Sequence, residues 1–170
     1  FYGKLAADEL GRSYGFSNPP KAMPRQVEID KWAGNTAIQR ARSLYRMSLY
    51  REGHREWNWA MRGITAQESL ALAAYARQTR LIHRMLNTSL KSGDQTVVIE
   101  QRFPRPHAAL IRIVSEAQSL PSAWVYGLIR QESRFIPAVS SAVGARGLMQ
   151  IMPATAKWMA RHLGIDSFEQ

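Results

Sequence analysis

Apolar residues recur along this chain every three or four positions with little strict alternation, the pattern of amphipathic helices rather than strands. Ile38, Ala41, Leu44, Tyr45 and Leu49 share one helix face, and Trp57, Ala60 and Met61 form a second after Gly53. Thr65-Ala66-Gln67-Glu68 is a capping-box signature, in which the Thr hydroxyl and the Glu carboxylate satisfy free backbone N–H groups at a helix start. It opens a third helix carrying Leu70, Leu72, Ala73, Tyr75 and Ala76. Ile82, Met85, Leu86 and Leu90 stay in helical phase until Lys91-Ser92-Gly93-Asp94. Upstream, Tyr2 to Leu10 reads as a helix stopped by Gly11, followed by the proline-rich Ser17-Asn18-Pro19-Pro20 and Pro24. A start inside a helix, without Met, predicts a piece of a longer protein.

Short helices of this kind cannot each bury an apolar face alone, so stacking into an α-superhelix is expected for residues 1–100. Thr96 to Glu100 and then Phe103-Pro104-Arg105-Pro106 read as an extended linker, since proline disfavours helix in the residue before it. That places a boundary between 95 and 105, with a second domain over 101–170. There, helices are predicted over 107–118, 121–132 and 153–163, the last two opened by proline in the first turn. A loop over 133–152 holds Pro137, Gly144 and Gly147. The fold class is all-α.

Composition narrows the function. With 45% hydrophobic residues the chain can build a core, and it has no Cys, which excludes disulfides, thiolate metal sites and a cysteine nucleophile. No apolar run approaches the length that spans a bilayer. The first ten residues lack the charged and apolar regions of a signal peptide. The net charge of +10 predicts attraction to an acidic polymer without choosing one. The excess is spread along the chain, with no basic tail. His54, His83, His107 and His162 show no metal-ligand spacing, and the glycine pair lacks the Lys-Ser/Thr of a phosphate-binding loop, so no metal and no cofactor is expected.

From Ala117 to Ile165 there is a single carboxylate, Glu132. It falls four residues after Leu128 and three after Ile129, on the apolar stripe of Trp124, Val125, Leu128 and Ile129. A carboxyl on such a stripe is expected to be desolvated and to hold its proton as a general acid does. An equally open alternative is a solvated helix-end residue with no role. Gln150, the uncharged polar residue of Gly144-Ala145-Arg146-Gly147-Leu148-Met149-Gln150-Ile151-Met152, either lines a cleft for a neutral polar group or bonds loop backbone, the latter favoured on residues alone. Met149 and Met152 read first as core filler.

Two segments, Gly127-Leu128-Ile129-Arg130-Gln131-Glu132-Ser133-Arg134-Phe135 and Gly144 to Ala156, resemble the soluble lytic transglycosylases of bacterial cell walls. Phe1-Tyr2-Gly3-Lys4-Leu5-Ala6-Ala7 and Arg102-Phe103-Pro104 resemble the linker region of that family. The resemblance implies an α-superhelical module before a lysozyme-like catalytic domain. It implies non-hydrolytic cleavage of the MurNAc-β-1,4-GlcNAc bond, leaving a 1,6-anhydromuramoyl end. Glu132 would be the lone acid/base, Ser133 would help place its carboxyl, and Gln150 and Met152 would belong to the substrate cleft. Peptidoglycan strands are the partner implied, with cell-wall synthases as further candidates and the periplasm as location. Neither nucleic acid nor a membrane span is expected. A non-catalytic wall-binding module and a basic nucleic-acid-binding helical protein are the alternatives. Ile136 stands where the family commonly has Asn before Pro137, and the chain ends at Gln170, before later family segments. The catalytic domain is therefore expected to be incomplete, with apolar faces uncovered.

Overall fold

The computed structural model describes residues 10–11, 23–93 and 97–165, and divides the chain into two compact units, Phe1–Pro104 and Arg105–Gln170. Among the described residues every regular element is a helix, apart from isolated bridges in one loop. No helix among them is long and apolar enough to cross a membrane. The helix expected over Tyr2 to Leu10 lies outside the described residues.

The first unit contains α1 (Gln26–Asp30), α2 (Thr36–Arg46), α3 (Tyr50–Ala60), α4 (Ala66–Gln78), α5 (Ile82–Ser89) and α6 (Ile99–Arg102). Asn35 caps α2, its Oδ1 accepting the Ile38 N–H at 3.1 Å. Ala37, Ile38, Ala41 and Tyr45 are its buried residues, as the helical spacing predicts, whereas Leu49 is exposed beyond the helix end. Gly53 does not precede the second helix but lies inside α3. A Cβ there would stand 2.6 Å from Tyr45 Cε1, so the glycine lets the Tyr45 ring lie against the α3 backbone.

The capping box of α4 is formed: Thr65 Oγ1 accepts the Glu68 N–H at 3.2 Å, and Glu68 Oε2 accepts the Thr65 N–H at 2.9 Å. These bonds, with Lys31 nearby, hold the Glu68 carboxyl below its usual range. Helix α4 is the centre of the unit, with Leu70, Ala71, Leu72, Ala73 and Ala76 all inaccessible or nearly so. Trp57 on α3 is fully buried and donates from Nε1 to Thr88 Oγ1 on α5 at 2.9 Å. Truncating such a core aromatic typically costs about 3–5 kcal/mol.

The linker expected over Thr96 to Glu100 is corrected by the structure. Thr96 lies outside the described residues, but Val97 and Val98 are buried and Ile99–Arg102 is helical. Gln101 donates from Nε2 to Leu70 O at 3.0 Å, and Arg102 donates to Ser89 O at 3.2 Å and Gly93 O at 3.0 Å. Docking against α4 and α5 thus overrides the local extended preference, and a guanidinium satisfies carbonyls at the end of α5.

The second unit contains α7 (Ala108–Ala117), α8 (Ser122–Glu132) and α9 (Pro153–His162). Helix α8 packs on α7, and Tyr126 Oη donates to Pro106 O at 3.1 Å. Pro121 is the residue before α8 rather than within its first turn, and Pro153 opens α9. Leu110, Ile113, Trp124, Leu128, Trp158 and Leu163 are all exposed.

Candidate active site

Glu132 is the last residue of α8. The expectation that its apolar stripe would bury it is corrected by the structure. The stripe is divided, with Ile129 buried at 2% exposure while Trp124 is 73% and Leu128 46% exposed, and Glu132 is exposed with the latter pair. The physical reason is that, among the described residues, packing buries only Ile129 of α8 and leaves the Trp124–Leu128 side uncovered. Its carboxyl is open to whatever occupies that face.

Ser133 ends the helix and organises the turn beyond it. It is buried, its hydroxyl donating to Ile129 O at 3.1 Å and accepting the Phe135 N–H at 3.1 Å. A hydroxyl has one proton to donate, and here it goes to backbone. The Ser133 proton is therefore not given to the Glu132 carboxyl, and the two bonds fix the chain turn that follows Glu132. The turn is unusual: Arg134 and Phe135 both have positive φ, 49° and 66°, and the Phe135 ring is buried. Side chains with a Cβ adopt that conformation at a cost of about 1–2 kcal/mol each, which the two Ser133 bonds and the burial of Phe135 offset. The sequence signal for this feature is a Ser whose side chain can reach the N–H two residues on.

The loop between α8 and α9 is tied by backbone. Arg146 and Ile151 exchange both N–H···O bonds at 3.0 Å, closing the four residues Gly147-Leu148-Met149-Gln150 between them. Gly147 N–H donates to Val139 O at 3.1 Å, and Ser141 Oγ accepts the Ala145 N–H at 3.0 Å. Gly144 and Gly147 have φ of 91° and 77°, which glycine alone adopts readily. Gln150 donates from Nε2 to Val139 O at 3.1 Å and to Gly147 O at 2.9 Å. The backbone-bonding alternative for Gln150 is thus realised: both of its donors hold the loop, and only its Oε1 is left to receive an outside donor. Met152 is the N-cap residue of α9 and is 42% exposed, not core filler. Met149 is also exposed. Among the described residues no group of three metal-ligating side chains is present.

The second unit thus carries one helix-end carboxylate and a glycine-bent, internally bonded loop, and it follows in the chain an all-α unit of short packed helices. Comparison with known proteins places that combination. Residues 109–169 match the model of the transglycosylase SLT domain, and residues 32–93 match that of the soluble lytic murein transglycosylase L domain. The chain belongs to the soluble lytic transglycosylase family. It is 27% identical over 176 aligned residues to soluble lytic murein transglycosylases of Escherichia coli and of Salmonella typhimurium, covering 99% of this chain and 25% of each relative. The chain therefore spans about a quarter of the length of the curated relatives it matches. Among solved structures, the lytic transglycosylase Slt of Pseudomonas aeruginosa, an inactive Glu-to-Gln mutant, superposes with a TM-score of 0.78 at 29% identity, covering 99% of this chain and 27% of that one. The 70-kDa soluble lytic transglycosylase of Escherichia coli superposes with a TM-score of 0.76 at 26% identity, covering 100% and 27%.

Proposed function

We propose that this chain is part of a peptidoglycan lytic transglycosylase of the periplasm, that its second unit belongs to the catalytic domain, and that Glu132 is the single acid/base. The observation that carries the reading is the exposed Glu132 at the end of α8, set on a turn locked by Ser133, inside the segment that matches the transglycosylase domain model. The Pseudomonas relative supports it, since that protein is an inactive mutant in which a Glu was exchanged for Gln.

Ordinary glycosidases use two carboxylates, one to protonate the leaving oxygen and one to attack or to activate water. Glu132 is alone between Ala117 and Ile165. A muramoyl sugar carries its own nucleophile in the C6 hydroxyl. The Glu132 carboxylic acid gives its proton to the glycosidic oxygen as the C1–O bond breaks. The resulting carboxylate then takes the C6 hydroxyl proton as that oxygen bonds to C1. The proton count closes on one residue, no water is consumed, and the product is the 1,6-anhydro end. Attack within one sugar ring needs mainly that the sugar be held, because the reacting atoms are already joined. In this reading Gln150 Oε1 receives an N–H or O–H of that sugar and Met152 lies against its carbon faces, which is supported by the commitment of both Gln150 donors to backbone and by the exposure of Met152.

The test is mass spectrometry of products released from purified peptidoglycan by the full-length protein and by its Glu132→Gln variant. Anhydro-ended muropeptides from the wild type and none from the variant are expected. Reducing-end products would show hydrolysis and a second carboxylate, and equal activity of the variant would remove Glu132 from the chemistry.

A further inference from the structure

The first unit carries a groove of about 640 Å³ that chemistry at Glu132 does not use. Its lining comes from Arg40 on α2, Arg55, Glu56, Asn58 and Trp59 on α3, and Arg62 just beyond α3. Trp59 is 59% exposed, and the Arg62 guanidinium lies 4.2 Å from its ring centroid. Arg40 places both Nε, at 3.0 Å, and a terminal nitrogen, at 2.8 Å, on the same Glu56 oxygen, so these two charges cancel locally. Arg55 and Arg62 have no carboxylate partner among the described residues. The Asn58 Oδ1 accepts from Arg84 at 2.7 Å, which fixes the amide and leaves its NH₂ as a donor.

A large exposed indole with Arg62 stacked on one face, a fixed amide donor and two guanidinium groups without a carboxylate partner form a combination with a definite chemical complement. Sugar C–H faces lie on the face of the indole opposite Arg62, an acetamido or hydroxyl oxygen accepts from Asn58, and a carboxylate meets a guanidinium by charge-assisted hydrogen bonds. We propose that this groove is an accessory binding site for a carboxylate-bearing, N-acetylated saccharide strand. The proposal rests on the reading of peptidoglycan as substrate and extends it: the first unit has a binding site of its own for the class of strand that the second unit cuts. A nucleic acid would also stack on Trp59, but two unpaired cations beside a carboxylate are a poor match for a backbone whose binders typically neutralise about 6–10 phosphates.

The experiment uses the full-length protein carrying Glu132→Gln throughout, so that ligand is not degraded, and measures its retention on purified, uncrosslinked peptidoglycan strands. Trp59→Ala and Arg62→Gln should each weaken retention about tenfold, and Trp59→Phe should keep most of it. Arg46→Gln, an exposed change on α2 that removes the same charge, should leave retention unaltered. Amidating the strand carboxylates should bring the parent protein down to the level of Arg62→Gln. Retention unchanged by Arg62→Gln, an equal loss from Arg46→Gln, or displacement of the strands by a single-stranded oligonucleotide at equal concentration would overturn the proposal. Product release by the wild type is scored separately: its absence would overturn the catalytic reading, while the retention series decides the groove.

Discussion

Acidification should loosen the first unit through His83, and the size of the effect is set by where that ring sits. His83 on α5 is 5% exposed and lies edge-on to Tyr45, with ring centroids 5.2 Å apart, and 5.4 Å from the His54 ring. Its Nε2, like that of His54 and like the Tyr45 hydroxyl, is buried with no hydrogen-bond partner among the described residues. Burial first, then the positive Arg84, then His54, lower the His83 pKa from 6.5 to about 3. His54 is lowered in the same direction by burial and by Arg84. The groups facing His83 are Tyr45, Tyr50, His54 and Arg84, and none is a carboxylate that would stabilise an imidazolium.

The folded state therefore keeps His83 neutral between about pH 6.5 and 3, while the unfolded or locally opened state takes up a proton. Stability is present above pH 6.5 and is lost as the pH falls through that window, at about 1.4 kcal/mol per pH unit for each such histidine. From pH 7 to pH 5, His83 alone should remove about 2 kcal/mol. His83→Phe keeps an edge-on ring against Tyr45 and removes the titrating nitrogen. The measurement is hydrogen exchange by mass spectrometry on the full-length protein, following peptides over α3 and α5 and correcting for the intrinsic pH dependence of exchange. The opening free energy of the variant, minus that of the wild type, should rise by about 2 kcal/mol between pH 7 and pH 5. Parallel pH profiles for the two proteins would refute the reasoning, since they would mean that His83 already takes its proton in the folded state.

Two further substitutions test the packing and the loop. Gly53→Ala sets a Cβ 2.6 Å from Tyr45, so despite the better helix propensity of Ala it should destabilise by about 1–3 kcal/mol, read from the same exchange on α2 and α3; an unchanged or raised stability would show that the Tyr45 ring moves freely. Gln150→Glu replaces two donors to Val139 O and Gly147 O by acceptors at the same length. It should raise exchange across 139–151 and cut wall cleavage about tenfold or more, whereas a role confined to touching substrate would leave loop exchange as it was.

How much of this was legible in the sequence depends on the range of the interaction that decides each feature. The Thr65 capping box, the α2 and α4 core residues and the helical character of 108–117 are set by neighbours within one or two turns, and periodicity reads them directly. The α6 segment is decided at long range: Val97 and Val98 look like an extended linker yet are buried, and nothing local announces that Gln101 will bond to Leu70. Gly53 misleads for a related reason, because it resembles a helix break unless the Tyr45 ring is known to occupy the space of its missing Cβ.

Glu132 shows the same division within one residue. Its place at the end of an apolar stripe is a local fact and the sequence carries it. Whether that stripe is covered is a tertiary fact, and in this unit the cover reaches Ile129 but not Trp124 or Leu128. What the fold does supply is position: the Ser133 bonds fix the turn on one side of the carboxylate, and paired Arg146–Ile151 bonds with the two Gln150 donors fix the loop. The Trp124–Leu128–Glu132 face is therefore one that the turn and the loop hold in place and that packing among the described residues leaves exposed.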